Sequence, residues 1–468
     1  MPAPASFSSA RVTRRHAIAM AAGAALLGAC RPMQAPGRQS EAPKAPAKPV
    51  TLSYHTFWPQ YRIDIMQTAM PAFKERRPHV TVELVSVPDY RAKLATNLAA
   101  GTAADCNICD VFQQPFYVDG GHVLDLTDRL KRDGIDIQKE SWLMGYEILC
   151  GRTYHMPWVL SPHCIYYNKT MLKKVGAKDP WDDLKGQWTW EDFRQICKQV
   201  SALTSSDGRY RVYGIRLGLT SLEYQLGGFI YTNGGRNYAL NPLRYTLDDP
   251  KLIETVEWLF KLLEDEGVIL PPNLTGQYNQ ASPGGDAFYG QLVAFFEDST
   301  GRLTLTRDTV KDTFEWDVVR VPKPNPGAEQ ITQFAADANF VYAKGPALDE
   351  AYEFLKFLSG YAGREMQDTL SREKLLLPSN KAAARNPDGF LKPPPNHVRA
   401  FIEGRAIGHM IHGRANDGNA IIAQELEKAL RGEKTPKQAL LDAQQQCQQI
   451  LTPAKCQQAD TFNYSFSA

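Results

Sequence analysis

Residues 51–112 read TLSYHTFWPQYRIDIMQTAMPAFKERRPHVTVELVSVPDYRAKLATNLAAGTAADCNICDVF. Thr51-Leu52-Ser53-Tyr54-His55 reads as a strand. From Arg62 to Arg77 the apolar residues Ile63, Met66, Met70 and Phe73 recur at three- and four-residue steps, which is one face of a helix. Pro71 falls inside that pattern and predicts a kink. Val80, Val82 and Leu84 alternate with Thr81 and Glu83, the period of a strand. Asp89 to Ala100 is helical, and Gly101 closes it. Ile108 to Phe112 is a short apolar strand. This β-α-β-α-β order specifies a parallel sheet with covering helices. Ligands of such sheets bind beyond the carboxyl ends of the strands. Trp58 and the Gln113-Gln114 pair fall at two of those ends.

Toward the C-terminus, Tyr154 to Trp158 and Cys164 to Lys169 read as two short strands around a proline-containing bend. Thr189-Trp190-Glu191-Asp192 is a capping-box helix start, with Phe193, Ile196, Cys197 and Val200 on one face behind it. Asp249-Pro250 opens another helix, proline taking the first helical position. Its inner face carries Ile253, Val256, Phe260 and Leu263. Thr435-Pro436 opens a further helix in the same way, with Leu440, Ala443 and Cys447 inward. No internal repeat is present.

Toward the N-terminus, Arg11, Arg14 and Arg15 precede thirteen uncharged small or apolar residues, Ala17 to Ala29. A spanning helix needs about 20. A basic start, a short apolar middle and a small-residue end make an export signal over residues 1–29. Thr13-Arg14-Arg15 resembles a twin-arginine signal, although His16-Ala17 departs from its usual continuation. Leu27-Gly28-Ala29-Cys30 resembles a bacterial lipobox, so Cys30 is the expected lipidation site; the alternative is a plain secretory signal with a chance cysteine. More than one acyl chain makes a stable anchor. Residues 30–49 carry five prolines from Pro32 to Pro49 and no apolar period, which predicts an extended tether.

The chain has 468 residues, enough for two or three domains, and its 43% hydrophobic and 22% charged residues exclude wholesale disorder. A net charge of +2 supplies no broad basic field, so nucleic acid is not an expected partner.

The order and spacing of several short segments resemble the extracellular solute-binding proteins of bacterial ABC sugar importers, the maltose-binding-protein-like family. The segments are Phe73-Lys74-Glu75 with Pro78 to Val82, Asp110-Val111, Gly121 to Leu126, Tyr154 to Pro157, Tyr166 to Lys169, Thr189 to Phe193 and Ala351 to Leu358. The resemblance implies an α/β, two-lobe periplasmic-binding-protein fold, with discontinuous lobes and a hinge of about three crossings. Lobe 1 is expected over 50–160 and 337–388, lobe 2 over 161–336 and 389–468. The crossings are expected near Trp158 to Ser161, Gln333 to Asp337 and Asn386 to Pro394. It further implies a monomer, without cofactor or catalysis, that captures a sugar or related polar solute by cleft closure and hands it to an ABC permease.

A sugar has apolar C–H faces and a rim of hydroxyls, so its site needs flat rings together with fixed donors and acceptors. The ring candidates are Trp58, Phe116, Trp158 and Tyr224; the resemblance places Tyr224 at a stacking position, counted back from Gly234-Gly235. The polar candidates are His55, Gln113, Gln114, Asp298, Ser299, Asp337, Asn339 and Arg414. Asp298 either meets ligand or caps the segment that follows it. Arg302 and Arg414 would suit an anionic sugar or phosphate ester. Alanine at Trp58 or Tyr224 is expected to weaken binding with little loss of stability.

Eight cysteines are present. Cys106-Asn107-Ile108-Cys109 precedes a strand rather than opening a helix, which argues against a thioredoxin-type site. Cys150 with Cys164, and Cys447 with Cys456, are possible bridges; Cys197 reads as a buried thiol. His409 and His412 would share a helix face able to take a metal, or are simply two cleft or surface histidines. The rival class is a secreted glycoside hydrolase, since paired carboxylates would serve that chemistry too. A third is a structural lipoprotein with a vestigial cleft. No GxSxG, HExxH or P-loop accompanies the carboxylates.

Overall fold

A computed structural model describes residues 48–110, 114–143, 147–240, 243–373, 376–408, 417–451 and 463–465. The opening stretch forms β1 (Val50–Thr56), α1 (Gln60–Arg76), β2 (Val80–Ser86), α2 (Tyr90–Ala100) and β3 (Cys106–Asp110). β1 pairs in parallel with both β2 and β3. Ile63, Met66 and Phe73 of α1 pack with Leu52, Tyr54 and Ile108 in one core. Pro71 sits inside α1 with its ring exposed, and the helix continues to Arg76. Gly101 closes α2 in the left-handed conformation, φ 76°, which glycine adopts without Cβ cost.

The two short strands expected around residue 160 are one: β4 (Met156–Asn168), thirteen residues long and buried at every position but Ser161. Pro162 suggested a break because it cannot donate to a ladder. It is tolerated because β4 changes partner there. Met156 to Pro162 pair antiparallel with β8 (Ile331–Val341), whereas His163 to Tyr167 pair with β6 (Val293–Ser299). β8 is shared in the same way. Its Asp337 to Val341 pair with β3, and its Ile331 to Phe334 pair with the strand Arg405–Gly408.

These two strands join two α/β lobes. The first core draws on residues 52–159 and 340–376. The second draws on residues 165–331 and 407–447, among them Ile165, Phe193, Val256, Phe295 and Leu440. α3 (Trp190–Val200) starts with the Thr189–Asp192 capping box. α4 (Pro250–Glu264) is capped by Asp249, and α7 (Pro436–Ile450) by Thr435. α5 (Leu348–Leu358) and α6 (Glu365–Arg372) return the chain to the first lobe, and Phe354, Leu355 and Leu370 join its core. β5 (Tyr213–Arg216) and β7 (Trp316–Val319) complete the second sheet beside β6 and β4. Arg307 donates to the carbonyls of Lys392 and Pro394 at 2.9 and 2.5 Å, pinning the proline-rich segment.

Gly214 of β5 touches α3 so closely that a Cβ there would lie 2.7 Å from Sγ and 2.8 Å from Cα of Cys197. Gly214→Ala is expected to cost about 1–3 kcal/mol by overpacking, read as a lower chemical-denaturation midpoint with unchanged slope.

Cys106, Cys109, Cys164, Cys197 and Cys447 are buried and form no disulfide. Both bridges considered above are therefore corrected. Cys164, on β4, is buried in a further cluster with Tyr166, Phe296 and Phe401, and Cys447 lies on the inner face of α7, its Sγ 3.5 Å from the Gly418 carbonyl. Cys150 is disulfide-bonded, with its partner outside the described residues. Burial holds the Cys106 thiol well above its ordinary pKa, which suits a structural thiol rather than a nucleophile. His409 and His412 lie outside the described residues, as do Cys30, the leader and most of the tether. Among the described residues no helix is long and apolar enough to cross a membrane.

Candidate functional site

On the first lobe, β1 ends at Thr56 and the chain turns through Trp58 into α1. The Trp58 indole Nε1 donates to Asp337 Oδ2 at 3.4 Å, and its ring stacks on Trp158 with centroids 5.4 Å apart and planes 24° apart. Arg62 covers the Trp58 ring at 5.3 Å. Neither tryptophan exposes any surface. They build the wall behind Asp337 and present no open stacking face in this structure. Asp337 itself is partly exposed, on β8 opposite Asp110 of β3 and Val159 of β4.

Asn339 belongs to the interior. It is fully buried, and its Oδ1 accepts from the Tyr54 hydroxyl at 2.9 Å, tying β8 to β1. His55 is half-buried on β1. Burial lowers its pKa, and the Asp105 carboxylate partly opposes this. The Asp105 carboxylate is also bound by Ser53, near the start of β3.

On the second lobe, β6 delivers Glu297, Asp298 and Ser299. Ser299, not Asp298, caps the following turn: its Oγ accepts from Gly301 N at 3.2 Å. Asp298 instead accepts from Arg302 Nε at 3.0 Å, one helical step on. Arg302 Nη2 also reaches the buried Asp286 at 3.0 Å, and Arg216 Nη2 meets the same Asp286 oxygen at 2.9 Å. Two guanidiniums are thus matched by two carboxylates.

Tyr224 lies beside Asp298 and Ser299. It is 39% exposed, a large value for a tyrosine held on both sides. Its carbonyl accepts from Gln333 Nε2 of β8 at 3.1 Å, and its ring meets His163 edge-on at 4.6 Å. Burial pushes its hydroxyl pKa up to about 12; the Asp298, Glu297 and Asp337 carboxylates add to this, and a hydrogen bond with Ser299 opposes it. Tyr224 therefore feels carboxylates from β6 and from the crossing strand β8 at once.

The structure brings together Trp58, Trp158 and Asp337 on one side and Tyr224, Asp298 and Ser299 on the other. Gln113 and Arg414 lie outside the described residues, and so do the side chains of Gln114 and Phe116. His163, Glu297, Asp286 and Arg216 were not legible as site residues. The available signal was Glu297 itself, a carboxylate following the apolar run Leu292 to Phe296 inside a strand.

The family model described as bacterial extracellular solute-binding protein matches residues 61–365, and the chain belongs to that family. It is 25% identical over 354 residues to the multiple sugar-binding protein of Streptococcus mutans, covering 73% of this chain and 76% of that one. It is 24% identical over 393 residues to the sn-glycerol-3-phosphate-binding periplasmic protein of Shigella dysenteriae, covering 78% and 85%. Among solved structures, the Listeria monocytogenes ABC substrate-binding protein in complex with cycloalternan superposes with a TM-score of 0.71 at 22% identity, over 86% of this chain and 99% of that one. The fold is accordingly the two-lobe fold of solute-binding proteins. The family and its structural neighbours are binding proteins, and the family is extracellular.

Proposed function

We propose that this chain captures a neutral saccharide between its lobes and passes it unaltered to an ABC permease. In this reading it is exported, acylated at Cys30 and held at the membrane by residues 30–49. The observation that carries the reading is the partly exposed Tyr224, whose hydroxyl bonds with Ser299 and feels the Asp298 and Asp337 carboxylates. A ring covers the C–H face of a sugar, and carboxylates accept from vicinal hydroxyls. Closure would bring the two walls onto one ligand, so ligand shifts the population toward the shut form.

Neutral rather than anionic ligand is favoured by the Arg216–Asp286–Arg302–Asp298 ladder. Both guanidiniums already hold carboxylates, which leaves little positive field for a phosphate. The test is a thermal-shift screen against neutral mono- and oligosaccharides, sugar phosphates, glycerol 3-phosphate, polyols and polyamines. A neutral saccharide at a hundredfold excess over its Kd should stabilise by about 2.7 kcal/mol, with no release of reducing ends. Glycerol 3-phosphate should give no shift. Asp286→Asn frees part of two guanidiniums and should open the site to sugar phosphates. A screen in which only anionic compounds stabilise the native chain would reject the neutral-ligand reading, and turnover of an oligosaccharide would favour a hydrolase.

A further inference from the structure

His163 and Glu297 form a hydrogen-bonded pair, Nδ1 to Oε1 at 2.8 Å, with essentially no exposed surface on either side chain. They stand across the β4–β6 ladder, where Glu297 pairs with Ile165 and His163 with Ser299. That is the point at which β4 leaves β8 and enters the second lobe. The outer atoms, His163 Nε2 and Glu297 Oε2, are buried without a hydrogen-bond partner. Two apolar side chains of like volume would fill this place without that penalty. The pair is costly, and its imidazole meets edge-on the ring of Tyr224, which is partly exposed.

We propose that His163 and Glu297 are positioning residues for Tyr224, holding the ring in place while they share one proton and releasing it when the pair gains or loses a proton. The proposal rests on the reading of Tyr224 as a ligand-facing ring. Its physical basis is the cost of net charge away from water. With one proton between them the pair is neutral overall. A second proton leaves a buried imidazolium beside a neutral acid, and loss of the first leaves a buried carboxylate beside a neutral imidazole. Either state favours movement that admits water, and Tyr224 is the covering group with solvent on its other side.

The surrounding charges do not mask this change. On β6, Asp298 faces the pair and raises both groups. From β5, Arg216 lowers Glu297, but its guanidinium is already bound to Asp286. Tyr224 stays protonated over the neutral range, its hydroxyl at about 12. On β4, burial keeps the neighbouring Cys164 a thiol, with Arg320, Glu403 and Glu297 as the charges around it. From β8, Asp337 acts on the Tyr224 hydroxyl. Burial pushes Glu297 up to about 7 against the pull of His163. For His163, burial works downward, and Glu297 overcomes it to leave the imidazole above its ordinary value.

The experiment needs no ligand, so its outcome is separate from that of the sugar screen. The full-length protein is labelled with [13Cε1]histidine and [13Cζ]tyrosine and titrated from about pH 5 to 9 by NMR, spanning the ordinary histidine value of about 6.5. His163→Gln and Tyr224→Phe assign the two signals. The His163 midpoint is expected above the ordinary histidine value, with the Tyr224 signal moving at the same midpoint. In Glu297→Gln the His163 midpoint should fall by about one pH unit or more, and the Tyr224 movement should follow it to the lower pH. If Glu297→Gln fails to fold, the apolar double variant His163→Leu, Glu297→Leu serves, and its Tyr224 signal should be flat. A Tyr224 signal that does not move in the native protein, or that still moves at the native midpoint in either variant, overturns the proposal.

Discussion

Trp58→Ala is expected to lower the free energy of unfolding by about 3–5 kcal/mol, the cost of removing a large ring from a closed core. The ring has no exposed surface, stacks on Trp158 and lies under Arg62. Its removal also strips an indole donor from Asp337. An exposed stacking platform would behave differently, since surface substitutions usually stay within about 0.5 kcal/mol. The expectation that alanine here would weaken binding with little loss of stability is therefore corrected: Trp58 is core first, and any effect on ligand passes through Asp337. Equilibrium urea denaturation measures the loss. Trp58→Phe, which keeps a ring but not the N–H, should recover most of it, leaving about 1 kcal/mol for the hydrogen bond. A Trp58→Ala midpoint equal to that of the native chain would show that the two indoles do not pack as described.

Tyr224→Ala should show the opposite balance. With 39% of its surface already in water, its truncation should cost at most about 1–2 kcal/mol of stability. Affinity for the best saccharide of the screen should fall about 10- to 100-fold, the range of losing one well-placed aromatic contact. Calorimetric titration of the native and variant proteins reads this directly. Tyr224→Phe separates ring from hydroxyl; if stacking dominates, it should retain most of the affinity. Equal affinity in Tyr224→Ala would remove Tyr224 from the site, and with it the observation that carries the proposed function. The His163–Glu297 titration would still report independently on whether that pair controls the ring.

Much of the fold was legible because it is encoded locally. The three-and-four spacing of Ile63, Met66, Met70 and Phe73 produces α1, and Thr189-x-x-Asp192 produces the capping box of α3. Asp249-Pro250 and Thr435-Pro436 start their helices for the same short-range reason: a side-chain oxygen meets a backbone N–H two or three residues on. Pro162 misled because its meaning is not local. A proline breaks a central ladder unless the strand changes partner at that residue, and the β6 and β8 partners of β4 lie 128 or more residues away in sequence. The cysteines misled in the same way. Their spacing allowed bridges from Cys164 and from Cys447, yet each of these two is a buried, unbridged thiol packed in its own cluster.

The sequence by itself determined the α/β class, the starts of the capped helices and the types of group a polar ligand would need, because these follow from periods and caps spanning a few residues. The tertiary structure decided which of those groups meet. Trp58 finds Asp337 across 279 positions, and His163 finds Glu297 across 134. Whether a ring is wall or platform, and whether an arginine is free or already matched by a carboxylate, depends on what the crossing strands β4 and β8 bring beside it. Burial and charge pairing are properties of the assembled neighbourhood, and the order of residues along the chain does not contain them in any short window.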